Sequence, residues 1–316
     1  EEQQQRHNKP PPANVKLLIL PGFGNDREDY FLPQSREGSI VESLRQRGWS
    51  CSNTTDTEDQ VRVLPVARKD WLNVFTKGAL DPKFWANEAP PTRPAFRWYL
   101  DLIAEEIENI CGTDENSRVV LVGHSAGGWL ARAALGYGST SAFDEREEVL
   151  PLSVDIKKVL GLVTLGAPHF PPPPQIMDMT RGALRLTHET FPNNFHDPEL
   201  FYITVMGEAI QGVKQEGKKP WEATTATGFA FNSYEAVCGD GTEVGDGVVP
   251  KCSGHLEGAQ RIDLPGVLHS INAPSRWYGS TNIIDAWHTP MMESIDKVTR
   301  KSQASSSWTP FQLFGR

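Results

Sequence analysis

The sequence lacks any hydrophobic run of the roughly 18 residues that a membrane-spanning helix requires, so any contact with lipid is expected to be peripheral. It also has a shortage of basic residues, with 31 Lys and Arg against 40 Asp and Glu and a formal net charge of -9. Because nucleic-acid binding needs a basic surface, this balance argues against a nucleic-acid partner. Hydrophobic residues make up 38% of the chain, which is enough to bury a core and excludes a disordered chain.

Cysteine is scarce, with four residues in a chain of 316, too few for a disulfide framework. Cys238 and Cys252 bracket a glycine-rich loop, so one bridge is conceivable there, although reduced thiols are the expectation. The sequence begins at Glu1 without a methionine, from which we expect a processed or trimmed chain. No signal peptide is left to read, so composition leaves the compartment open.

Apolar segments alternate with amphipathic helical patterns from residue 15 onward, which predicts an α/β fold with a mostly parallel sheet covered on both faces. We predict strands at Val15–Leu20, Val61–Val66, Val119–Val122, Lys158–Leu165, Leu200–Met206 and Ala259–Leu264. Helices are predicted at Ser39–Arg47, Ala95–Cys111, Ser125–Leu135 and from near Thr281, the last interrupted at Pro290. No linker divides the pattern, so we predict one domain over residues 15–300, between a flexible segment 1–14 and a tail 301–316.

Three long insertions stand out, at about 67–94, 170–198 and 208–244. Loops of this length are usually functional, and in open α/β sheets ligands bind beyond the carboxyl ends of the strands. We therefore predict lid-like insertions above the site. Trp71 and Met177, from the first two insertions, are candidate substrate contacts, the alternative being that the aromatic side chains pack the insertions onto the sheet.

Residues 123–127 read Gly-His-Ser-Ala-Gly, between a predicted buried strand and a predicted helix. A serine in such a tight turn needs small flanking residues because strand and helix approach each other closely. The turn lifts the Ser125 hydroxyl clear of the sheet and directs the Ala126 N–H toward an oxyanion. The pentapeptide alone would also suit a serine that caps a helix, but its context predicts the nucleophile of an α/β-hydrolase fold.

A second oxyanion donor is expected in the loop after the first strand, where residues 20–25 read Leu-Pro-Gly-Phe-Gly-Asn. The backbone N–H groups of this glycine-flanked turn can face the site. We predict Phe23 as the donor and Gly22 as a substrate contact. The alternative is that the segment is only a turn.

Two Gly-Asp-Gly segments compete for the acid of a catalytic triad, which in this fold lies between the serine and the histidine in the sequence. Asp246 is followed by Val-Val-Pro, an apolar stretch that would anchor the loop and exclude water beside the carboxylate. Asp240 lies in a more polar stretch that favours a solvated turn residue. We predict Asp246 as the acid.

The base of this fold follows the last strand, and of the eight histidines His269 has that position. His255 precedes the strand and is a poor candidate. His124 lies inside the serine turn, and His169 ends the strand that follows it, so both are candidates to line the substrate cleft, with packing as the alternative for His169. The histidines of the second insertion lack zinc-ligand spacing, and neither a metal nor an organic cofactor is expected.

These motifs resemble known hydrolases. Residues 163–169 and the Gly-His-Ser-Ala-Gly-Gly turn look like lipase-like hydrolases related to the GPI inositol-deacylases, and Gly245–Pro250 is similar to the acid loop of lecithin:cholesterol acyltransferase-like lipases. Residues 20–26, 68–71, 89–94 and 277–280 look like a group of plant, algal and cyanobacterial α/β-hydrolases. The resemblance implies esterase or lipase activity and a plastid setting. The chain lacks the transmembrane segments of the membrane-bound deacylases, so a GPI substrate is not expected.

The combined prediction is hydrolysis of a hydrophobic ester by Ser125, with His269 as base and Asp246 as the residue that orients it. The N–H groups of Phe23 and Ala126 would hold the oxyanion. Two other functions stay open at this point. One is acyl transfer to an alcohol through the same acyl-enzyme, and the other is ligand binding without catalysis on the same fold.

Overall fold

The computed structural model describes residues 10–31, 38–51, 59–112, 114–139 and 152–306. Parts of the predicted flexible segment and tail, residues 1–9 and 307–316, lie outside the described residues. Within these described residues the central sheet has six strands, all paired in parallel, in the spatial order β2-β1-β3-β4-β5-β8. The strands are β1 (Val15–Leu20), β2 (Val61–Val63), β3 (Arg118–His124), β4 (Val159–Leu165), β5 (Phe201–Glu208) and β8 (Gln260–Pro265). A short antiparallel pair joins β6 (Ile210–Gln211) to β7 (Val244–Gly245).

Helices cover both faces of this sheet, which confirms the predicted fold class. They are α1 (Glu28–Phe31), α2 (Ile40–Arg45), α3 (Asn73–Thr76), α4 (Pro82–Trp85), α5 (Pro94–Cys111), α6 (Ala126–Ser139), α7 (Ala183–Thr190), α8 (Ala226–Cys238) and α9 (Asp285–Ser306). Among the described residues, no helix has both the length and the apolar character needed to cross a membrane.

The side chains of β1 point alternately to the two faces of the sheet, and the core is correspondingly divided into two layers. Leu18 and Leu20 face α5 and α6 on one side of the sheet. Leu17 and Ile19 face the opposite side, where Trp287 of α9 packs. Successive side chains of a strand point to opposite faces, and a parallel sheet with helices on both faces buries both sets. This explains why every residue of β1 except Lys16 is apolar.

One helical prediction was wrong, and one helix was not predicted. The C-terminal helix begins at Asp285 and continues through Pro290 without interruption. The proline lies near the helix start, so its missing N–H and its ring disturb only the first turns. The insertion at 208–244 contains α8, which its glycine and threonine content concealed, although Thr225 caps the helix by accepting from the Gly228 N–H.

The strand order reverses between β1 and β3. From β1 the chain moves outward to the edge strand β2, whereas from β3 it proceeds through β4 and β5 in the other direction. The segments that follow β1 and β3 therefore separate and leave a crevice at the carboxyl edge of the sheet, where ligands bind in open α/β folds. Phe23 follows β1 and Ser125 follows β3, so both predicted site residues lie at this switch point.

Candidate active site

Ser125 occupies the turn between β3 and α6 with a φ of 53°, a left-handed conformation that is rare outside glycine. Its backbone N–H donates to the Leu165 carbonyl at 2.9 Å and fixes the turn against β4. The flanking glycines are needed for close approach. A Cβ on Gly123 would lie 2.4 Å from the Gly128 Cα, and one on Gly127 would lie 2.2 Å from the Leu20 carbonyl oxygen. The turn therefore has the strained strand-to-helix geometry expected from its sequence.

The predicted oxyanion donors are free. Among the described residues, no protein acceptor is hydrogen-bonded to the backbone N–H of Phe23 or of Ala126. The N–H of Gly22 is occupied, because it donates to the Tyr30 hydroxyl oxygen at 2.9 Å. A Cβ on Gly22 would lie 2.8 Å from the Ser125 Cβ, so the loop after β1 comes directly against the serine. Two unpaired N–H groups thus remain available beside Ser125.

The carboxylate of Asp246 is buried and accepts four hydrogen bonds. Its Oδ1 accepts from the backbone N–H groups of Val248 at 3.0 Å and Val249 at 2.8 Å. Its Oδ2 accepts from His269 Nδ1 and from the Tyr278 hydroxyl, each at 2.7 Å. Burial alone would raise the pKa of this carboxyl, but the charge and hydrogen bond of His269, the Val249 N–H and Tyr278 together hold the pKa below 3.8. The group is therefore a carboxylate at neutral pH.

His269 is held at two points by Asp246. Besides the ring contact, its backbone N–H donates to the Asp246 carbonyl at 2.9 Å. The side chain is partly exposed, and within the described residues its Nε2 has no protein hydrogen-bond partner. The structure thus brings the predicted acid and base together and leaves one ring nitrogen of the base free.

The Ser125 hydroxyl makes no hydrogen bond to His269 in the described part of the chain. The two residues are nevertheless brought near each other through His124, whose ring centroid lies 4.8 Å from that of His269. Nucleophile–base contacts are often loose without substrate and tighten in the Michaelis complex. The arrangement is therefore an acid–base pair already formed next to a serine held in a strained turn.

The competing residues have other partners. Both ring nitrogens of His255 are engaged, Nδ1 with Thr204 and Nε2 with Asp263, each at 2.8 Å, so neither is free to take a proton from a serine. Asp240 is exposed, and its carboxylate accepts from the N–H and hydroxyl of Thr242, as predicted for a turn residue.

Three of the predicted substrate contacts are buried, and their contact with a substrate stays a prediction. His169 is fully buried and bonds to Thr164, and burial first, then Arg132, lowers its pKa well below 6.5. His124 is buried between Tyr30 and His269. Trp71 is 3% exposed and packs against Phe23, because the first insertion folds onto the loop after β1.

The remaining two predicted contacts differ from each other. Met177 is 63% exposed in the second insertion and stays a prediction. Gly22 lies against Ser125, but its N–H is used by Tyr30. The role of Gly22 in the structure is close approach to the serine.

Sequence reasoning missed three tyrosines that hold the site loops. Tyr30 binds the Gly22 N–H, and Tyr278 binds the Asp246 carboxylate. Tyr234 accepts from the Gly247 N–H at 2.8 Å and donates to the Ile210 carbonyl at 3.0 Å. No local motif marks these residues, because each acts through a contact distant in sequence. For Tyr278 the available signal is the Trp-Tyr-Gly-Ser string at 277–280, one of the segments that resemble known hydrolases.

The four cysteines are free thiols, and the Cys238 thiol donates to the Asp240 carbonyl at 3.5 Å. Cys252 also lines an open cavity of about 640 Å³ beside the acid loop. This cavity is lined by side chains of mixed charge, including Glu243, Lys251 and Arg261, and neither Ser125 nor His269 contributes to it. It is therefore separate from the candidate active site.

A model of the alpha/beta hydrolase family matches residues 17–298 of the chain. The chain belongs to this family. Its structure is similar to that of a lipase from Staphylococcus hyicus, with 12% identity, coverage of 92% of this chain and 98% of that chain, and a TM-score of 0.52. It is also similar to EstA from Clostridium botulinum, with 11% identity, coverage of 93% and 90%, and a TM-score of 0.51. At this identity the likeness supports the fold alone. A comparison with curated proteins found no match.

Membership of the alpha/beta hydrolase family agrees with the strained serine turn and the Asp246–His269 pair. Family membership supports hydrolase activity in the general sense.

Proposed function

We propose that the protein hydrolyses a hydrophobic carboxylic ester, with Ser125 as nucleophile, His269 as general base and Asp246 as the residue that orients the base. The observation that carries the proposal is the 2.7 Å hydrogen bond between Asp246 Oδ2 and His269 Nδ1, formed beside a serine held at a φ of 53°. An acid, a base and a nucleophile in this relation constitute the triad used for acyl transfer on several folds.

In the first half-reaction the free Nε2 of His269 accepts the proton of Ser125 as its oxygen attacks the ester carbonyl. The imidazolium that forms is stabilised by the buried Asp246 carboxylate, which also fixes the tautomer with the proton on Nδ1. The N–H groups of Phe23 and Ala126 are unpaired and adjoin the serine, so they are suited to hold the negative oxygen of the tetrahedral intermediate. His269 then gives its proton to the leaving alcohol.

In the second half-reaction water takes the place of the alcohol. His269 removes a proton from water, the resulting hydroxide attacks the acyl carbon, and the proton passes to Ser125 as the carboxylic acid leaves. The same groups act in both halves. Each step therefore uses side chains of this chain and the two backbone donors.

The apolar character of the substrate is supported by the side chains around the oxyanion loop. Phe23 is 53% exposed although it lies directly beside the serine, and its ring packs edge-on against Phe75 of the first insertion, with 6.5 Å between centroids. Exposed aromatic rings at the entrance of a site favour an acyl or alkyl chain over a polar group.

The test is steady-state hydrolysis of p-nitrophenyl esters from acetyl to palmitoyl by the wild-type protein and by Ser125→Ala. We expect hydrolysis that increases with acyl length and a loss of at least about 1000-fold in kcat for Ser125→Ala. Ser275→Ala, a change of an exposed serine, serves as the matched control and should behave as wild type. Ester hydrolysis that survives in Ser125→Ala would refute the assignment of the nucleophile, and a flat response to chain length would refute the hydrophobic substrate.

A further inference from the structure

We propose that His124 is a positioning residue, which ties the loop of the base to the loop of the oxyanion donors through one directed chain of buried hydrogen bonds. The inference rests on the proposed function, because it assigns His124 a role relative to the base His269.

Three hydrogen bonds make up this chain. The Gly22 nitrogen lies 2.9 Å from the Tyr30 hydroxyl oxygen, and that oxygen lies 2.9 Å from Nδ1 of His124. The Nε2 of His124 lies 3.1 Å from the carbonyl oxygen of His269. Tyr30 and His124 are both buried, so water does not compete for these contacts. The chain runs from the loop after β1, through the residue before the nucleophile, to the backbone of the base.

The chemistry of the two ends fixes the direction of every donor. A backbone N–H can only donate and a carbonyl can only accept. Burial, reinforced by the nearby His269, lowers the pKa of His124 to about 3, so the imidazole is neutral and carries one N–H. That N–H must lie on Nε2 to reach the His269 carbonyl. Nδ1 then accepts from Tyr30, whose oxygen accepts from Gly22.

A chain with a single arrangement of donors holds its members in one geometry. Tyr30 engages the Gly22 N–H, whereas the neighbouring Phe23 N–H has no protein acceptor in the described part of the chain. At the other end, the bond to the His269 carbonyl restrains the backbone from which the base projects. Small misplacements of reacting groups can cost about 100-fold in rate, so loss of the chain should lower kcat more than it weakens substrate binding.

Two conservative variants of His124 separate the two bonds. The side-chain amide of glutamine reaches the position of Nε2 and can still donate to the His269 carbonyl. The side-chain oxygen of asparagine reaches the position of Nδ1 and can still accept from Tyr30, but leaves the carbonyl without a donor. We expect His124→Gln to lose about threefold in kcat, because its bond to Tyr30 is broken while its donor to the His269 carbonyl is kept, and His124→Asn to lose at least about tenfold in kcat with KM within twofold. Tyr30→Phe, which removes the middle of the chain, should lower kcat by at least about tenfold.

Thermal unfolding of each variant separates positioning from stability. Positioning predicts that His124→Asn and His124→Gln differ in kcat at similar Tm. Equal kcat in the two variants, or losses that follow Tm or KM instead, would overturn the inference. If the wild-type protein shows no ester turnover, the proposed function fails, and the hydrogen-bond chain is then tested by spectroscopy alone.

That spectroscopic test uses the unmodified protein and is independent of activity. Long-range ¹⁵N–¹H correlation spectra of histidine side chains distinguish the two neutral tautomers, and the His124 signals are identified by their absence in His124→Gln. The chain requires the Nε2–H tautomer for His124 at neutral pH. Observation of the Nδ1–H tautomer or of the imidazolium would contradict it.

Discussion

The hydroxyl of Tyr278 donates to Oδ2 of Asp246 at 2.7 Å, on the same oxygen that accepts from Nδ1 of His269. The backbone N–H of Gly207 donates to the phenol oxygen at 2.9 Å, which directs the phenol proton toward the carboxylate. Burial, followed by the Asp246 charge, raises the pKa of Tyr278, so the phenol keeps that proton at any working pH. The Tyr278 hydroxyl and the protonated ring of His269 therefore share Oδ2 of Asp246, the proposed triad acid, as their acceptor.

Tyr278→Phe removes this donor and leaves the packing of the ring in place. With one hydrogen bond fewer, the pKa of Asp246 rises and the carboxylate becomes a stronger partner for protonated His269. Because the base must be neutral to act, we expect the acidic limb of the kcat/KM profile to move to higher pH. At pH 7 the loss of kcat/KM should be within about tenfold, equivalent to about 1.4 kcal/mol.

The control for this variant is Tyr234→Phe. Tyr234 is also buried and holds the same loop, but it contacts the backbone of Gly247 and Ile210 rather than the carboxylate. It should lower Tm without moving the acidic limb. If the acidic limb of the kcat/KM profile moves equally in both variants, or in neither, the Tyr278 hydroxyl does not control the pKa of Asp246.

Gly166→Ala tests how closely the acid approaches β4. A Cβ at this position would lie 2.6 Å from Oδ2 of Asp246 and 2.8 Å from the Tyr278 hydroxyl. We expect kcat/KM to fall by about 100-fold, since the acid must shift away from its place. Gly266→Ala is the matched control, because it also has a positive φ but has no atom within 4 Å of the added Cβ. Its cost should be limited to about 1 kcal/mol of stability, and equal loss of activity in both variants would refute the proposed cause.

The buried His124 predicts a defined dependence of stability on pH. Its pKa lies near 3 in the folded protein and near 6.5 when unfolded, because burial and His269 disfavour the charge. Between these two pKa values His124 is protonated in the unfolded state but not in the folded state. The contribution of neutral His124 to the free energy of unfolding is therefore complete above pH 6.5 and is lost as the pH falls. Each pH unit in this window costs about 1.4 kcal/mol from this group.

His124→Gln lacks this titration, while every other histidine is shared with the wild-type protein. Urea denaturation at pH 7, 6 and 5 should therefore show the wild-type protein losing free energy of unfolding faster than the variant on acidification. Parallel losses in the two proteins would mean that His124 is not held neutral by the fold.

Phe75→Ala tests the apolar entrance beside the oxyanion loop. Its ring contacts Phe23, and both rings are about half exposed, so its removal should weaken binding of long acyl chains by about tenfold in kcat/KM and leave acetyl esters unchanged. Phe229→Ala is the control, since Phe229 is 57% exposed on α8 and makes no ring contact with Phe23. A uniform loss across all chain lengths would indicate a structural effect rather than substrate binding.

Most of the sheet could be predicted from the sequence because short apolar segments followed by turn signals mark strands such as β1, β3 and β4. Val15–Leu20 was predicted with its observed bounds, and the other strands differ by a few residues at their ends. Such ends are set by pairing with neighbours, which periodicity does not encode. β6 and β7 have only two residues each and leave no periodic pattern to read.

The Asp246–His269 contact could also be anticipated, because chain order and loop position restrict the acid and the base in this family. The contacts of the three tyrosines that hold the site loops could not be anticipated. Tyr30 contacts a histidine 94 residues away, and Tyr278 contacts an aspartate 32 residues away, so neither spacing belongs to a local motif. The relation to GPI inositol-deacylases and the plastid setting stay predictions of sequence resemblance.

The central claim, that Ser125 is an activated nucleophile, is tested most directly by reaction with a fluorophosphonate followed by peptide mass spectrometry. The account predicts one phosphonyl group per chain, located on Ser125, absent in Ser125→Ala and unchanged in Ser275→Ala. An unlabelled wild-type protein under conditions that label a control lipase, or a label on another residue, would contradict it.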